Sequence, residues 1–280
     1  MKRGEIVTRD GIHLATLHWG GSGRPLYLLH ATGFCGALWD PIARALCDEF
    51  APRAIDVRGH GRSDKPDAAY PWSVLADDLL DWLEREASEQ VFALGHSSGA
   101  TVILLAAARA PERFARILLV DPSLLRPTAE RDEAERSDPF GLATRARRRR
   151  VEFASQDELR AALRPRPPYG LFRQDVFELF CAHAVETLAG GRVRLRCPAE
   201  IESRVYAGAA AIDPWQELGR IRARTRFLIP ALSGLRPELR ALLPQVLPHA
   251  EIVPVPGTHF LALENPDLVA LQARDFFAAP

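Results

Sequence analysis

This chain of 280 residues predicts an α/β layered fold, a mostly parallel sheet flanked by helices and interrupted once by an inserted helical domain. Three observations carry that expectation. Short apolar runs without alternation recur at residues 26–29, 53–57, 91–94, 117–120, 226–229 and 252–255, as expected of parallel strands covered on both faces. Segments with apolar residues at three and four spacing, residues 37–47, 72–86, 100–110, 237–243 and 266–277, separate most of these runs. The alternation breaks once, between Pro122 and Trp215, where Arg, Glu, Ala and Pro dominate with helical periodicity and no convincing strand.

Taken in order, residues 5–8 and 12–19 alternate around Asp10-Gly11 and read as an antiparallel hairpin closed by Gly20-Gly21-Ser22-Gly23. The parallel strands and crossover helices follow, and an insertion of this size between two core strands reads as a helical lid. The expected division is a core of residues 1–122 and 216–280 with a cap at 123–215. Inside the cap, Arg145 and the run Arg147 to Arg150 follow Glu130, Asp132, Glu133, Glu135 and Asp138, so the run reads as a solvated helix face and not a nucleic-acid patch. Arg164-Pro165-Arg166-Pro167-Pro168-Tyr169-Gly170 is expected to be an extended connection.

Composition narrows the function class. Lys+Arg and Asp+Glu both total 36, so no long-range field selects nucleic acid, an anionic membrane or a polyanionic substrate. No apolar segment approaches bilayer length and the first residues are charged, which points to a cytoplasmic protein with a small-molecule substrate. Cys35, Cys47, Cys181 and Cys197 show neither C-x-x-C nor zinc spacing, so free thiols are expected and no metal. Nothing in the sequence speaks to oligomeric state.

The most informative stretch is Gly95-His96-Ser97-Ser98-Gly99, a serine between two glycines where an apolar run ends and a helical run begins. That is the pattern of a nucleophile elbow, a strained turn that lifts a serine hydroxyl clear of the sheet and faces it with the unpaired N–H groups of a helix start. A serine needs a base. His259, in Pro256-Gly257-Thr258-His259-Phe260, follows the last strand and is expected at the same sheet edge; His13, His18, His183 and His249 read as surface or packing residues, and His96 as pointing into neighbouring structure. The loop after residues 226–229 reads Pro230-Ala231-Leu232-Ser233-Gly234-Leu235-Arg236 and holds no acid, so Asp121, at the end of the strand at 117–120, becomes the orienting carboxylate. Glu238 or a lid residue is the alternative source of that charge. The backbone N–H groups of Thr32 and Ser98 are the expected oxyanion donors, while Phe34, Cys35, His96 and Phe260 are candidate pocket residues and Trp39 fits either pocket or core. Asp56-Val57-Arg58-Gly59-His60-Gly61-Arg62-Ser63 reads as a structural turn.

With His30-Ala31-Thr32-Gly33-Phe34, Asp56 to Ser63, Gly95 to Gly99 and Gly257-Thr258-His259-Phe260 in this order, the chain resembles the α/β-hydrolase superfamily over nearly its whole length, in the branch with a helical cap after the sixth strand. The resemblance implies an eight-stranded sheet, a mobile cap, and hydrolysis through an acyl-enzyme on Ser97 with His259 as base and no cofactor. Two departures stand out. Ala31 replaces the glycine usual after that histidine, and Gly234 stands where the acid is usual; haloalkane dehalogenases include members whose acid follows the sixth strand, the position of Asp121. Ser97 argues against the aspartate chemistry of dehalogenases and epoxide hydrolases, and Phe260 replaces the tryptophan expected in carbon–carbon bond hydrolases of this fold. The expected activity is a serine hydrolase acting on a small to medium carboxylic ester or lactone. The alternatives are a carbon–carbon bond hydrolase and a non-catalytic small-molecule receptor.

Overall fold

A computed structural model describes residues 1–87 and 89–278. Its eight-stranded sheet has the order β1 (Lys2–Val7), β2 (His13–His18), β4 (Phe50–Ile55), β3 (Arg24–Leu29), β5 (Val91–His96), β6 (Phe114–Val120), β10 (Arg224–Leu232), β11 (Glu251–Thr258). The first three strands pair antiparallel and the rest are parallel. The apolar runs lack alternation because both faces are covered. Leu26, Leu28, Leu118 and Val120 enter one core cluster, with residues of α1 (Asp40–Leu46) and α11 (Pro266–Ala278). Tyr27, Leu29, Ile117 and Leu119 enter the other, with α2 (Trp72–Glu86), α3 (Ser98–Arg109) and α9 (Pro237–Val246). Successive strand residues point to opposite faces, so an all-apolar strand serves two cores.

α2 shows how sequence sets an element. Pro71 precedes it in an extended conformation, and Trp72, Leu75, Ala76, Leu79, Trp82 and Leu83 fall on one buried face at helical spacing. β4 starts at Phe50, three residues earlier than the apolar run suggests, because residues 50–55 pair in register with Arg24–Leu29 while Asp56 and Val57 leave the sheet to build a loop.

The segment between β6 and β10 departs from an all-helical expectation. It carries α4 (Glu133–Ser137), α5 (Ala143–Arg147), α6 (Gln156–Leu163), α7 (Gln174–His183) and α8 (Ala199–Gly208), and also a three-stranded antiparallel sheet of β7 (Glu152–Phe153), β9 (Val193–Leu195) and β8 (Val185–Thr187). Two- and three-residue strands are too short to leave a period in the sequence. The proline-rich stretch at 164–170 is likewise not extended: it folds as consecutive turns, with Arg166 N–H on Leu163 O at 2.9 Å and Gly170 N–H on Arg166 O at 3.0 Å. No helix among the described residues is long and apolar enough to cross a membrane.

Candidate active site

Ser97 sits between β5 and α3 with φ 56° and ψ −120°, a conformation that a non-glycine residue holds only when its surroundings impose it. The flanking glycines are sterically required. A Cβ on Gly95 would lie 2.6 Å from Ala100 Cα, and one on Gly99 would lie 2.4 Å from Leu29 O. Ser97 N–H is held by Val120 O at 3.0 Å, which ties the turn to the neighbouring strand.

His259 and Asp121 meet this serine from two other strands. His259 Nε2 is 2.9 Å from Ser97 Oγ, and His259 Nδ1 is 2.6 Å from Asp121 Oδ2. Since a carboxylate only accepts, Nδ1 carries the proton, Nε2 accepts, and Ser97 O–H donates to it. Asp121 is fully buried and also sits at positive φ, 43°. Its oxygens receive Ser233 O–H and, at 2.9 Å, Gly234 N–H. Burial pushes the Asp121 carboxyl upward, but its hydrogen bond to His259, the His259 charge and the donors Ser233 and Gly234 together hold it below the ordinary value. Gly234 thus takes the place of the missing acid in a physical sense: a Cβ there would approach His259 Nδ1 to 3.3 Å, so its absence leaves room for the imidazole, while the Gly234 N–H holds the carboxylate arriving from β6. Glu238 is exposed at the start of α9 and forms no part of this chain of bonds.

Three contacts that the sequence does not announce fix the arrangement. Glu264 accepts Thr258 N–H at 2.9 Å and Thr258 O–H at 2.6 Å, pinning the loop that carries His259. His96 Nε2 donates to His259 O at 2.7 Å, and burial pushes His96 down to about 3, so it is neutral. Ser123, two residues past Asp121, places its hydroxyl oxygen 3.0 Å from Ser97 Oγ. His13 and His249 are exposed, and His18 and His183 half-buried, outside this set.

The loop after β3 is more committed than expected. Thr32 N–H and Thr32 O–H both donate to Ser98 Oγ at 2.9 Å, so the Thr32 amide reaches another acceptor only after the Ser98 side chain rotates. Ser98 is the first residue of α3, where backbone N–H groups lie outside the helix ladder. Gly33 N–H donates to His60 Nε2 at 3.0 Å, Val57 N–H to His30 Nε2 at 3.0 Å, and Gly36 N–H to Asp56 Oδ1 at 2.7 Å. The Asp56 to Ser63 turn is therefore a clamp on the loop. Burial lowers both His30 and His60, the latter to about 3, which keeps them neutral acceptors. Cys35 is 1% exposed and belongs to the core cluster beneath the loop, a correction to its reading as a pocket residue. Trp39 is buried too. Phe34 packs edge-on against Phe172, Phe180 and Phe260, an aromatic wall shared between the sheet edge and the insert.

Facing the same loop is an ion pair from the insert. Arg149 bonds Glu202 and Tyr169, and a Cβ on Gly33 would lie 2.7 Å from Glu202 Oε1 and 3.4 Å from Arg149 Nη1. The arginine run is not uniformly a solvated face: Arg147, Arg148 and Arg150 are exposed, whereas the Arg149 side chain is only 18% exposed. Among the described residues no group of three or more His, Cys, Asp or Glu converges to hold a metal ion.

Residues 26–273 match the model of the Alpha/beta hydrolase family. The chain belongs to this family. As an α/β-hydrolase it resembles 2-(acetamidomethylene)succinate hydrolase of Mesorhizobium japonicum, 34% identical over 101 residues that cover 36% of each chain. It also resembles N-formylmaleamate deformylase of Pseudomonas putida, 32% identical over 125 residues, 44% of this chain and 47% of that one. These matches span less than half the length of the relatives. In fold, the chain superposes on the crystal structure of E-2-(acetamidomethylene)succinate hydrolase with a TM-score of 0.84 at 23% identity, covering 99% of this chain and all of that one. The enol-lactonase from Burkholderia xenovorans gives 0.75 at 20% identity over 99% of this chain and all of that one.

Proposed function

We propose that this α/β-hydrolase cleaves a small to medium carboxylic ester or lactone through an acyl-enzyme on Ser97. The observation that carries the reading is the continuous chain Ser97 Oγ, His259 Nε2, His259 Nδ1, Asp121 Oδ2, with spacings of 2.9 and 2.6 Å. Ser97 Oγ attacks the carbonyl carbon as His259 Nε2 takes its proton, and Asp121 stabilises the imidazolium. The tetrahedral oxyanion takes hydrogen bonds from Ser98 N–H and, once the Ser98 side chain rotates, from Thr32 N–H. Collapse expels the alcohol, which receives the proton from His259. Water then attacks the acyl carbon, gives its proton to His259 and releases the acid.

In this reading residues 1–122 and 216–280 form the catalytic core and residues 123–215 cap it. The substrate's acyl half lies between the wall of Phe34, Phe172 and Phe260 and the polar side of the insert. Arg149 and Glu202 there favour an acyl group that carries a polar substituent. His96 acts through the backbone of His259 and does not meet substrate.

The relatives' names, a hydrolase of an acetamidomethylene compound and a deformylase, place amides in the test panel beside esters and lactones. Ser97→Ala is expected to abolish turnover of p-nitrophenyl acetate and butyrate while the circular dichroism spectrum and melting curve stay those of the parent. Unchanged turnover rejects the mechanism. Absence of turnover by the parent across esters, lactones, amides and carbon–carbon substrates favours a receptor.

A further inference from the structure

Ser123 is a hydroxyl that no motif selects, yet it touches the atom on which the chemistry turns. Its Oγ lies 3.0 Å from Ser97 Oγ. The direction of that bond follows from the protons already assigned. His259 Nδ1–H is given to Asp121, so His259 Nε2 must accept, and the single proton of Ser97 goes to it. Ser97 Oγ therefore has only lone pairs left, and Ser123 O–H is the donor.

We propose that Ser123 is a catalytic residue of the deacylation half-reaction, donating a hydrogen bond to Ser97 Oγ as that oxygen becomes a leaving group. The proposal rests on the acyl-enzyme reading of Ser97. In the resting enzyme the Ser123 bond is already made, and it persists as Ser97 attacks, so it changes the acylation barrier little. In the acyl-enzyme Ser97 Oγ is an ester oxygen, a poor acceptor, and the bond weakens. When water has added to the acyl carbon and the C–Oγ bond breaks, negative charge returns to Oγ and the bond strengthens again. The proton that finally neutralises Oγ comes from His259 Nε2, which took it from water; Ser123 keeps its own. A donor that gains strength only between acyl-enzyme and transition state accelerates deacylation selectively.

The position is held by backbone, not by the hydroxyl. Ser123 N–H bonds Ser97 O at 3.3 Å, and Ser123 O accepts Thr101 O–H at 2.9 Å. Both contacts survive in Ser123→Ala, which is expected to fold as the parent does.

The test is the steady-state and burst kinetics of Ser123→Ala and Ser123→Thr with p-nitrophenyl butyrate, alongside the rate of fluorophosphonate labelling. For Ser123→Ala we expect kcat to fall about 10- to 100-fold, the range of one hydrogen bond to a charged group, with KM falling in proportion and kcat/KM unchanged. A burst of p-nitrophenol and a butyryl adduct on Ser97 in the intact-protein mass spectrum accompany this, labelling stays near the parent rate, and Ser123→Thr restores kcat. An unchanged kcat in Ser123→Ala, or a fall in kcat/KM without adduct, overturns the role of Ser123 and leaves the Ser97 reading intact. A parent enzyme that neither labels nor forms an adduct overturns the Ser97 reading, and the role of Ser123 with it.

Discussion

Ser97 and Asp121 are the two non-glycine residues with positive φ among the described residues, at 56° and 43°, and they end adjacent parallel strands, β5 and β6. Each turn is held from the next strand: Ser97 N–H by Val120 O and Asp121 N–H by Leu228 O, both at 3.0 Å. Backbone strain of this kind costs on the order of 1–3 kcal/mol per residue and persists where surrounding structure over-determines it. Here it aims a hydroxyl and a carboxylate at one imidazole. Asp121→Asn keeps the shape but removes the charge and disfavours the tautomer that His259 needs. We expect kcat with p-nitrophenyl butyrate to drop by roughly ten-thousandfold, by analogy with the serine protease case. A loss below tenfold removes Asp121 from the mechanism.

Gly234 tests the same geometry from the other side. An alanine there sets a Cβ 3.3 Å from His259 Nδ1 and 3.8 Å from Asp121 Oδ2, tight enough to displace the ring. Gly234→Ala is expected to lower kcat about 10-fold, because the imidazole has to give by a few tenths of an ångström, while the urea midpoint stays near that of the parent. Full activity in this variant contradicts the close approach.

Acid stability follows from the neutral histidines. His60 and His96 are both pushed down to about 3 by burial, from an ordinary value of 6.5. A group with a depressed value in the folded state binds its proton more readily when unfolded, so its contribution is fully present above the ordinary value and is lost as the pH falls toward the folded one. Between these limits each histidine removes up to about 1.4 kcal/mol of stability per pH unit. Urea midpoints at about pH 7, 6 and 5 should fall steadily, and His60→Gln should flatten the slope. A midpoint independent of pH over this window contradicts the assignment.

The Arg149–Glu202 pair is expected to behave as a buried ion pair, with side chains 18% and 9% exposed. Arg149→Ala strands the Glu202 carboxylate and is predicted to cost about 3–5 kcal/mol, whereas Arg149→Met with Glu202→Leu costs much less. A double-mutant cycle by urea denaturation measures the coupling. Additive effects contradict it.

What was legible in the sequence divides along physical lines. The parallel strands show as apolar runs because two cores demand both faces, and Ser97 and His259 show because a strained elbow needs Gly95 and Gly99 and the end of β11 needs Gly257 at positive φ. Asp121 shows only by elimination, from the acid-free loop around Gly234. Ser123, Ser233 and Glu264 leave no trace, since a single hydroxyl or carboxyl acquires its partner through tertiary folding. The short strands β7, β8 and β9 carry too few residues for a period. Arg149 is hidden inside a run whose other members face solvent, because α5 ends at Arg147 and helical spacing no longer decides which way the residues after it face. The engagement of Thr32 N–H by Ser98 depends on a side-chain rotamer, which no residue pattern encodes.

The most direct test of the convergence of Ser97, His259 and Asp121 is fluorophosphonate labelling followed by peptide mapping, in the parent and in His259→Gln. Rapid, stoichiometric modification of Ser97 is expected in the parent, and a rate lower by orders of magnitude in the variant. Modification at another residue, or equal rates in the two proteins, would contradict that convergence.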